Sequence, residues 1–112
     1  MSKPVGDLAN VMDVSGLKVV VTGGAGGIGA GIAQAFAQRG AEAAVLDMDV
    51  EGGRAVVETL RGPGGAHLFV ECDVTSLSSV RMAVGSVIDS FGHIDVLVNN
   101  AGIAAVKPFL DM

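Results

Sequence analysis

The sequence contains one cysteine, Cys72, and neither tyrosine nor tryptophan. A single thiol excludes an internal disulfide, so a reducing, cytoplasmic setting is expected. Cys72 falls at the end of a predicted strand, where a buried inert thiol is expected rather than a nucleophile. Positive charge is scarce as well. Seven Lys and Arg against twelve Asp and Glu leave a net charge of −5, and the basic residues are scattered. A nucleic-acid partner requires a basic face and an anionic membrane surface a basic run, so neither is expected. No apolar stretch reaches the roughly 18 to 20 residues of a membrane span. The N-terminal stretch MSKPVGDLANVMDVSG lacks the apolar core of a secretory signal, and residues 1–16 are expected to form a flexible lead-in. No His, Cys and carboxylate cluster has metal-ligand spacing, so no metal is expected. His67 and His93 are isolated at predicted strand starts and are expected to be structural.

What is present in quantity is apolar surface and glycine. Half of the 112 residues are hydrophobic, and 17 are glycine. That suffices for the core of one domain or part of one. Five of the glycines fall within seven residues, Gly23 to Gly29, in the stretch LKVVVTGGAGGIG that begins at Leu17. The apolar run Leu17 to Val21 predicts a buried strand. Ile28, Ile32 and Phe36 then recur four apart, as one face of a helix does. The unit is strand, tight glycine turn, helix N-terminus.

The rest of the chain repeats this alternation. Arg39 and Gly40 end the first helix, and Ala41 to Leu46 is a second strand closed by Asp47. Asp49 caps a helix running to about Arg61, weakened by Gly52 and Gly53 at roughly 1 kcal/mol each. His67 to Glu71 is a third strand. Ser76 caps the clearest amphipathic helix, with Val80, Val84, Val87, Ile88 and Phe91 at helical spacing and Gly92 as its stop. Asp95 to Val98 is a fourth strand entering Asn99-Asn100-Ala101-Gly102, and Phe109 and Leu110 are expected to begin a further helix. The order β-α-β-α-β-α-β predicts an α/β fold, a Rossmann-like doubly wound parallel sheet seen in part. Its ligand edge lies at the carboxyl ends of the strands. Gly23 to Gly29, Asp47, Asp73 and Asn99 all fall at such ends.

The residue types at that edge fit a dinucleotide. Unpaired N–H groups and the dipole at a helix N-terminus attract a phosphate, and glycine lets the backbone approach it. G-x-G-x-x-G is present as Gly24, Gly26 and Gly29, with no Walker lysine following. Asp47 comes 18 residues after Gly29, where a carboxylate can accept both adenosine ribose hydroxyls and would repel a 2′-phosphate. No basic residue lies between Val19 and Gln38, and Asp47 is followed by Met48 and Asp49, which favours NAD over NADP. The plain alternative for Asp47 is a helix-capping or loop acid. Asp73 is either a cap or an acceptor for the adenine amine, with the Val74 N–H beside it. Asn99 and Asn100 either tie strand ends together or touch the ligand.

TGGAGGIG at Thr22 to Gly29, Asp47, CDVT at Cys72 to Thr75 and NNAG at Asn99 to Gly102 together resemble the short-chain dehydrogenase/reductase family, from Leu17 to Met112. The resemblance implies that Gly23, Gly27, Ile28 and Gly29 cradle the pyrophosphate, that Asp47 holds the adenosine ribose, and that Asp73 and Val74 meet the adenine, with Met48 as a further cofactor-binding residue. Asn99, Ala101 and Gly102 would line the centre of the cofactor. It also implies an oxidoreductase acting on an alcohol or carbonyl substrate, often as a homo-oligomer, and a strand order 3-2-1-4. The family's serine and Tyr-x-x-x-Lys pair have no counterpart here, so no catalytic residue is assigned. Residues 17–112 then read as the N-terminal part of an NAD(P)-binding domain, truncated after its fourth strand, which would leave strand four an apolar edge and the chain marginally stable. The alternative is a non-catalytic dinucleotide-binding module or partner subunit. A third reading, an adenosyl-cofactor methyltransferase, is disfavoured by NNAG and by the TGxxxGxG spacing.

Overall fold

The apolar runs KVVVT and EAAVLD fold as β1 (Lys18–Thr22) and β2 (Glu42–Asp47), buried along almost their whole length. Both are central strands covered on two faces, which is why they read as continuous apolar segments rather than alternating ones. The computed structural model describes residues 14–60 and 65–100. Around the two central strands lie α1 (Gly27–Gln38), α2 (Val50–Thr59), β3 (Leu68–Glu71), α3 (Leu77–Phe91) and β4 (Val96–Asn99). The four strands form one sheet, parallel as the alternation of strands and helices predicts and in the order β3-β2-β1-β4 that the resemblance implies. The reversal of strand order falls between β1 and β4.

Two cores sandwich the sheet. On one face Val19, Val21, Ala43 and Val45 pack beneath α1 and α2; on the other Val20, Ala44 and Leu46 pack beneath α3. At the flank, β4 alternates half-buried and exposed positions, and Leu97 is 60% exposed. Residues 14–17, just before β1, are also held. The Gly16 N–H donates to the Gly40 carbonyl at 3.1 Å, and Val14 packs on the first core.

The helices depart from their predicted faces in instructive ways. α1 buries Gly29, Ala33 and Ala37, with Ile32 and Phe36 flanking them, while Ile28 is 76% exposed. The seam is therefore a stripe of small residues, which brings the helix backbone close to the sheet; Ile28 lies in the first turn, off that seam. In α2, Gly52 and Gly53 are not mere weak points. A Cβ at Gly53 would overlap the Phe69 ring, and one at Gly52 would overlap the Asp49 carboxylate. That carboxylate caps the helix by accepting from the Gly52 N–H at 2.9 Å. α2 ends at Thr59, short of the expected Arg61, which lies outside the described residues. In α3 the Ser76 hydroxyl accepts from the Ser79 N–H at 3.2 Å, as a cap should. Its buried face is Ala83, Val87 and Phe91, leaving Ile88 43% exposed.

Both histidines take structural places near the amino ends of the strands. His67 Nδ1 accepts from the Ala43 N–H at 3.1 Å and extends the β2–β3 ladder. Its Nε2 is buried without a partner among the described residues. Burial pushes its pKa below the ordinary 6.5, against the opposing pull of Glu42. His93 Nε2 lies 3.0 Å from Asp95 Oδ2, which also accepts from the Lys18 N–H at 2.8 Å. These two bonds to Asp95 hold its carboxyl below the usual carboxylate range, the Lys18 N–H contributing most.

Two measurements check this packing. Gly53→Ala should lower stability by about 1–3 kcal/mol through overpacking against Phe69. In a Phe69→Ala background the same change should become neutral or stabilising, because alanine is the better helix former by roughly 1 kcal/mol; urea denaturation of the four chains followed by circular dichroism reads the sign. The second concerns pH. The folded chain holds His67 neutral below 6.5, where the unfolded chain takes up the proton. Stability should therefore be full above about 6.5 and decline as pH falls toward the lowered folded value. Replacing His67 by Gln should remove that part of the slope in denaturation curves at pH 7.5 and 5.5.

Candidate functional site

At the carboxyl end of β1 the chain turns through five glycines into α1. Gly23 and Gly27 have φ of 66° and 59°, a left-handed conformation that side chains disfavour. The Gly23 N–H donates to the Leu46 carbonyl at 2.7 Å, carrying the ladder one step past the strand. Gly24 lies against β2, where a Cβ would approach Val45 Cγ1 to 2.8 Å. Gly29 is the tightest point, because a Cβ there would overlap the Gly23 carbonyl and meet Asn100 Nδ2 at 2.9 Å. At Gly26 and Gly27, by contrast, an added Cβ would meet nothing within 4 Å, so this side of the turn is open.

That open side faces outward from the N-terminus of α1. Gly26 is its N-cap, with no side-chain cap and no acid in the first turn, whereas Asp49 and Ser76 cap α2 and α3. Partial positive charge is left there for an anion to answer.

Asp47 faces the turn from the end of β2. Its Oδ2 accepts from the Ala25 N–H at 3.0 Å and its Oδ1 from the Asp49 N–H at 2.9 Å. Its own carbonyl accepts from the Cys72 N–H at 3.1 Å. Of the plain alternative, a helix-capping or loop acid, the capping falls to Asp49, while Asp47 accepts from loop N–H groups and braces the glycine turn. Met48 beside it is 64% exposed.

At the end of β3, Asp73 Oδ1 accepts from the Thr75 N–H at 2.9 Å and from its hydroxyl at 2.6 Å. These bonds hold the carboxyl below the usual range. The Asp73 N–H donates to the Ser79 hydroxyl at 2.9 Å. Asp73, Met48, Glu71, Ser78, Ser79 and Met82 line a cleft of about 350 Å³. Val74 lies on a second, almost wholly apolar cavity of about 220 Å³ under α3, with Val20, Leu46, Leu97, Thr22 and Asn99 also on its wall. Cys72 is buried here and burial pushes its thiol pKa up, consistent with an inert residue.

The two asparagines tie strand ends together. Asn99 Oδ1 lies 3.2 Å from the Thr22 hydroxyl, and Asn100 Nδ2 donates to the Gly23 carbonyl at 3.2 Å. Gly23, Gly27, Ile28, Gly29, Asp47, Met48, Asp73, Val74 and Asn99 are thus gathered along one edge of the sheet. Ala101 and Gly102 lie outside the described residues. Three participants escaped the sequence reading: the Ala25 N–H, the Ser79 hydroxyl and Met82. A backbone donor carries no sequence signal, and Met82 reads as an ordinary surface position of a helix. Ser79 could have been found as the third residue after the Ser76 cap. Among the described residues, no group of three His, Cys, Asp or Glu side chains could hold a metal, and no helix is long and apolar enough to cross a membrane.

Substituting Gly29 by Ala tests the tightest contact. The Cβ has nowhere to go without moving α1 off the turn, so stability should fall by about 1–3 kcal/mol. Gly31→Ala, two residues on in the same helix and in open space, should be neutral or stabilising; thermal melts of the two variants compare them directly.

The geometry agrees with comparisons to known proteins. D-threitol dehydrogenase of Mycolicibacterium smegmatis is 45% identical over 95 residues, which cover 85% of this chain and 36% of that enzyme. L-fucose dehydrogenase of Oryctolagus cuniculus is 48% identical over 88 residues, 79% of this chain and 30% of the relative. The chain thus spans about a third of the length of these curated relatives. A crystal structure of hydroxysteroid dehydrogenase from Escherichia coli superimposes with a TM-score of 0.78 at 33% identity, covering 84% of this chain and 38% of that one. The family profile described as short chain dehydrogenase matches residues 17–112. With the parallel β3-β2-β1-β4 sheet and the glycine turn on its carboxyl edge, this chain belongs to the short-chain dehydrogenase family.

Proposed function

We propose that residues 17–112 are the N-terminal part of a longer dinucleotide-binding domain, and that this part holds NAD for an oxidoreductase acting on an alcohol or carbonyl substrate. The observation that carries the reading is the uncapped N-terminus of α1 facing the Asp47 carboxylate across an open glycine turn. The residues fit the group. Gly26 and Gly27 leave room for a phosphate against the backbone, and Gly27, Ile28 and Gly29 are the first residues of the helix whose dipole favours it. Asp47 has two oxygens with about four acceptor positions in all, of which the Ala25 and Asp49 N–H groups take two. The remainder suit the two hydroxyls of a ribose. The same carboxylate repels a 2′-phosphate, which favours NAD over NADP. Met48 and Asp73, on one cleft, suit an adenine, with the Val74 N–H as a further donor. Asn99, Ala101 and Gly102 take the central stretch of the cofactor.

Bound NAD would supply the hydride acceptor, which no amino-acid side chain can provide. The task of these residues is to bind and orient it. We assign no catalytic residue to the chain, since it has no tyrosine. The substrate reading stays at the class level for a reason visible in the relatives. Proteins named for threitol, fucose and a hydroxysteroid match this same region, so these residues serve what those enzymes share. The substrate would be selected by residues elsewhere.

Isothermal titration of the chain with NAD and NADP tests the reading. NAD should bind the more tightly, and Asp47→Ala should narrow or reverse that preference. An unchanged affinity ratio in the variant would remove Asp47 from the ribose site.

A further inference from the structure

We infer that Asp47 is also a positioning residue for the phosphate-binding turn, through a hydrogen bond made before any ligand arrives. The inference rests on the dinucleotide reading above and adds a second role to one of its residues. The usual reading of such an acid involves only the ribose. Here Oδ2 is already engaged by the Ala25 N–H at 3.0 Å, at the apex of the turn between Gly24 and Gly26.

Asp47 is itself held at both its side chain and its backbone. Oδ1 accepts from the Asp49 N–H at 2.9 Å, and the Asp47 carbonyl accepts from the Cys72 N–H at 3.1 Å. Asp49 is in turn fixed as the cap of α2, through the Gly52 N–H at 2.9 Å. The other ties on the turn lie at its ends: at one, Gly23 to Leu46 at 2.7 Å and Asn100 to the Gly23 carbonyl at 3.2 Å; at the other, the Ala30 N–H to the Gly26 carbonyl at 3.4 Å. Gly24, Gly26 and Gly27 flank the apex and give it little stiffness of their own. The Ala25 bond is therefore what holds the apex against β2 and keeps the N–H groups of Gly27, Ile28 and Gly29 aimed outward. It also removes the Ala25 N–H from the donors available to a pyrophosphate.

A consequence is that the ribose and phosphate ends of the site are coupled through one side chain. Removing the carboxylate should weaken ligands that never touch it. The probe is 2′,3′-dideoxy-ADP, which keeps the diphosphate and adenine but has no ribose hydroxyl for Asp47 to accept from. By calorimetry on the 112-residue chain, Asp47→Ala should reduce its affinity by about tenfold, the scale of one charge-assisted hydrogen bond. Asp47→Asn keeps one oxygen to accept from the Ala25 N–H but turns its amide NH2 toward the Asp49 N–H that Oδ1 now accepts from, so it should recover part of that loss and not all of it. An affinity for dideoxy-ADP that is unchanged or improved in Asp47→Ala would overturn the inference while leaving the ribose role intact.

A second readout needs no ligand. In amide exchange followed by NMR, Ala25 should be protected in the parent chain, exchange faster in Asp47→Ala, and fall between the two in Asp47→Asn, with β1 and β2 amides unchanged. Equal Ala25 exchange in parent and Asp47→Ala chains would overturn it. If neither ADP nor its dideoxy form binds the parent chain, the dinucleotide reading fails, and the exchange experiment still decides whether Asp47 sets the turn.

Discussion

Everything at the carboxyl edge depends on how closely the first turn of α1 approaches the end of β1. Gly29 comes so near the Gly23 carbonyl that no Cβ fits between them, and Asn100 reaches the same carbonyl from beyond β4. That one oxygen is the meeting point of strand, helix and the neighbouring strand end. Because α1 continues the contact with Ala33 and Ala37 rather than with large side chains, its axis stays close to the sheet over its whole length. The helix N-terminus is then delivered to the sheet edge with its N–H groups facing out.

The β2 strand supplies the opposing wall. Leu46 receives the Gly23 N–H, Val45 fills the space a Gly24 side chain would need, and Asp47 takes the Ala25 N–H. Three successive residues of one strand thus contact three successive residues of the turn. β2 is in turn flanked by β3, whose continuation Cys72 holds the Asp47 carbonyl. The sheet order β3-β2-β1-β4 is therefore more than a way of closing a core. It places an acid held at the end of a central strand beside the glycine turn, and a hydrogen bond from the Ala25 N–H crosses from one to the other.

Much of this was legible in the sequence, for a definite reason. A parallel sheet buried on both faces requires unbroken apolar strands, and KVVVT and EAAVLD announced theirs. Helix starts were legible at Asp49 and Ser76, because capping is a local side-chain property. Strand ends follow from those two, so the edge that carries Asp47, Asp73 and Asn99 was legible too. What the sequence concealed was contact chemistry between distant positions. The face of α1 was misread at Ile28 because a small-residue seam has no hydrophobic periodicity to detect. Gly52 and Gly53 read as weaknesses because Phe69 and the Asp49 carboxylate, which occupy the space beside them, are known only once the chain is folded. The bond from Ala25 to Asp47 was invisible for a further reason: its donor is the backbone.

These concealed features share a cause. Local propensity argues against glycine in the first turn of α1 and in α2, and a sequence usually agrees with its fold at every level except where something else is being satisfied. In α2 the something else is packing, since Phe69 fills the space at Gly53. At Gly29 it is packing as well. At Gly26 and Gly27 packing gives no account, because an added Cβ would meet open space at both. The positive φ of Gly27 explains that residue in part. Gly26 has an extended backbone that any residue can adopt and a capping position where Ser, Thr, Asp or Asn would stabilise the helix. An uncapped, unobstructed N-terminus at that one position forgoes stability in the free chain, and the exchange makes physical sense if an anion completes the cap.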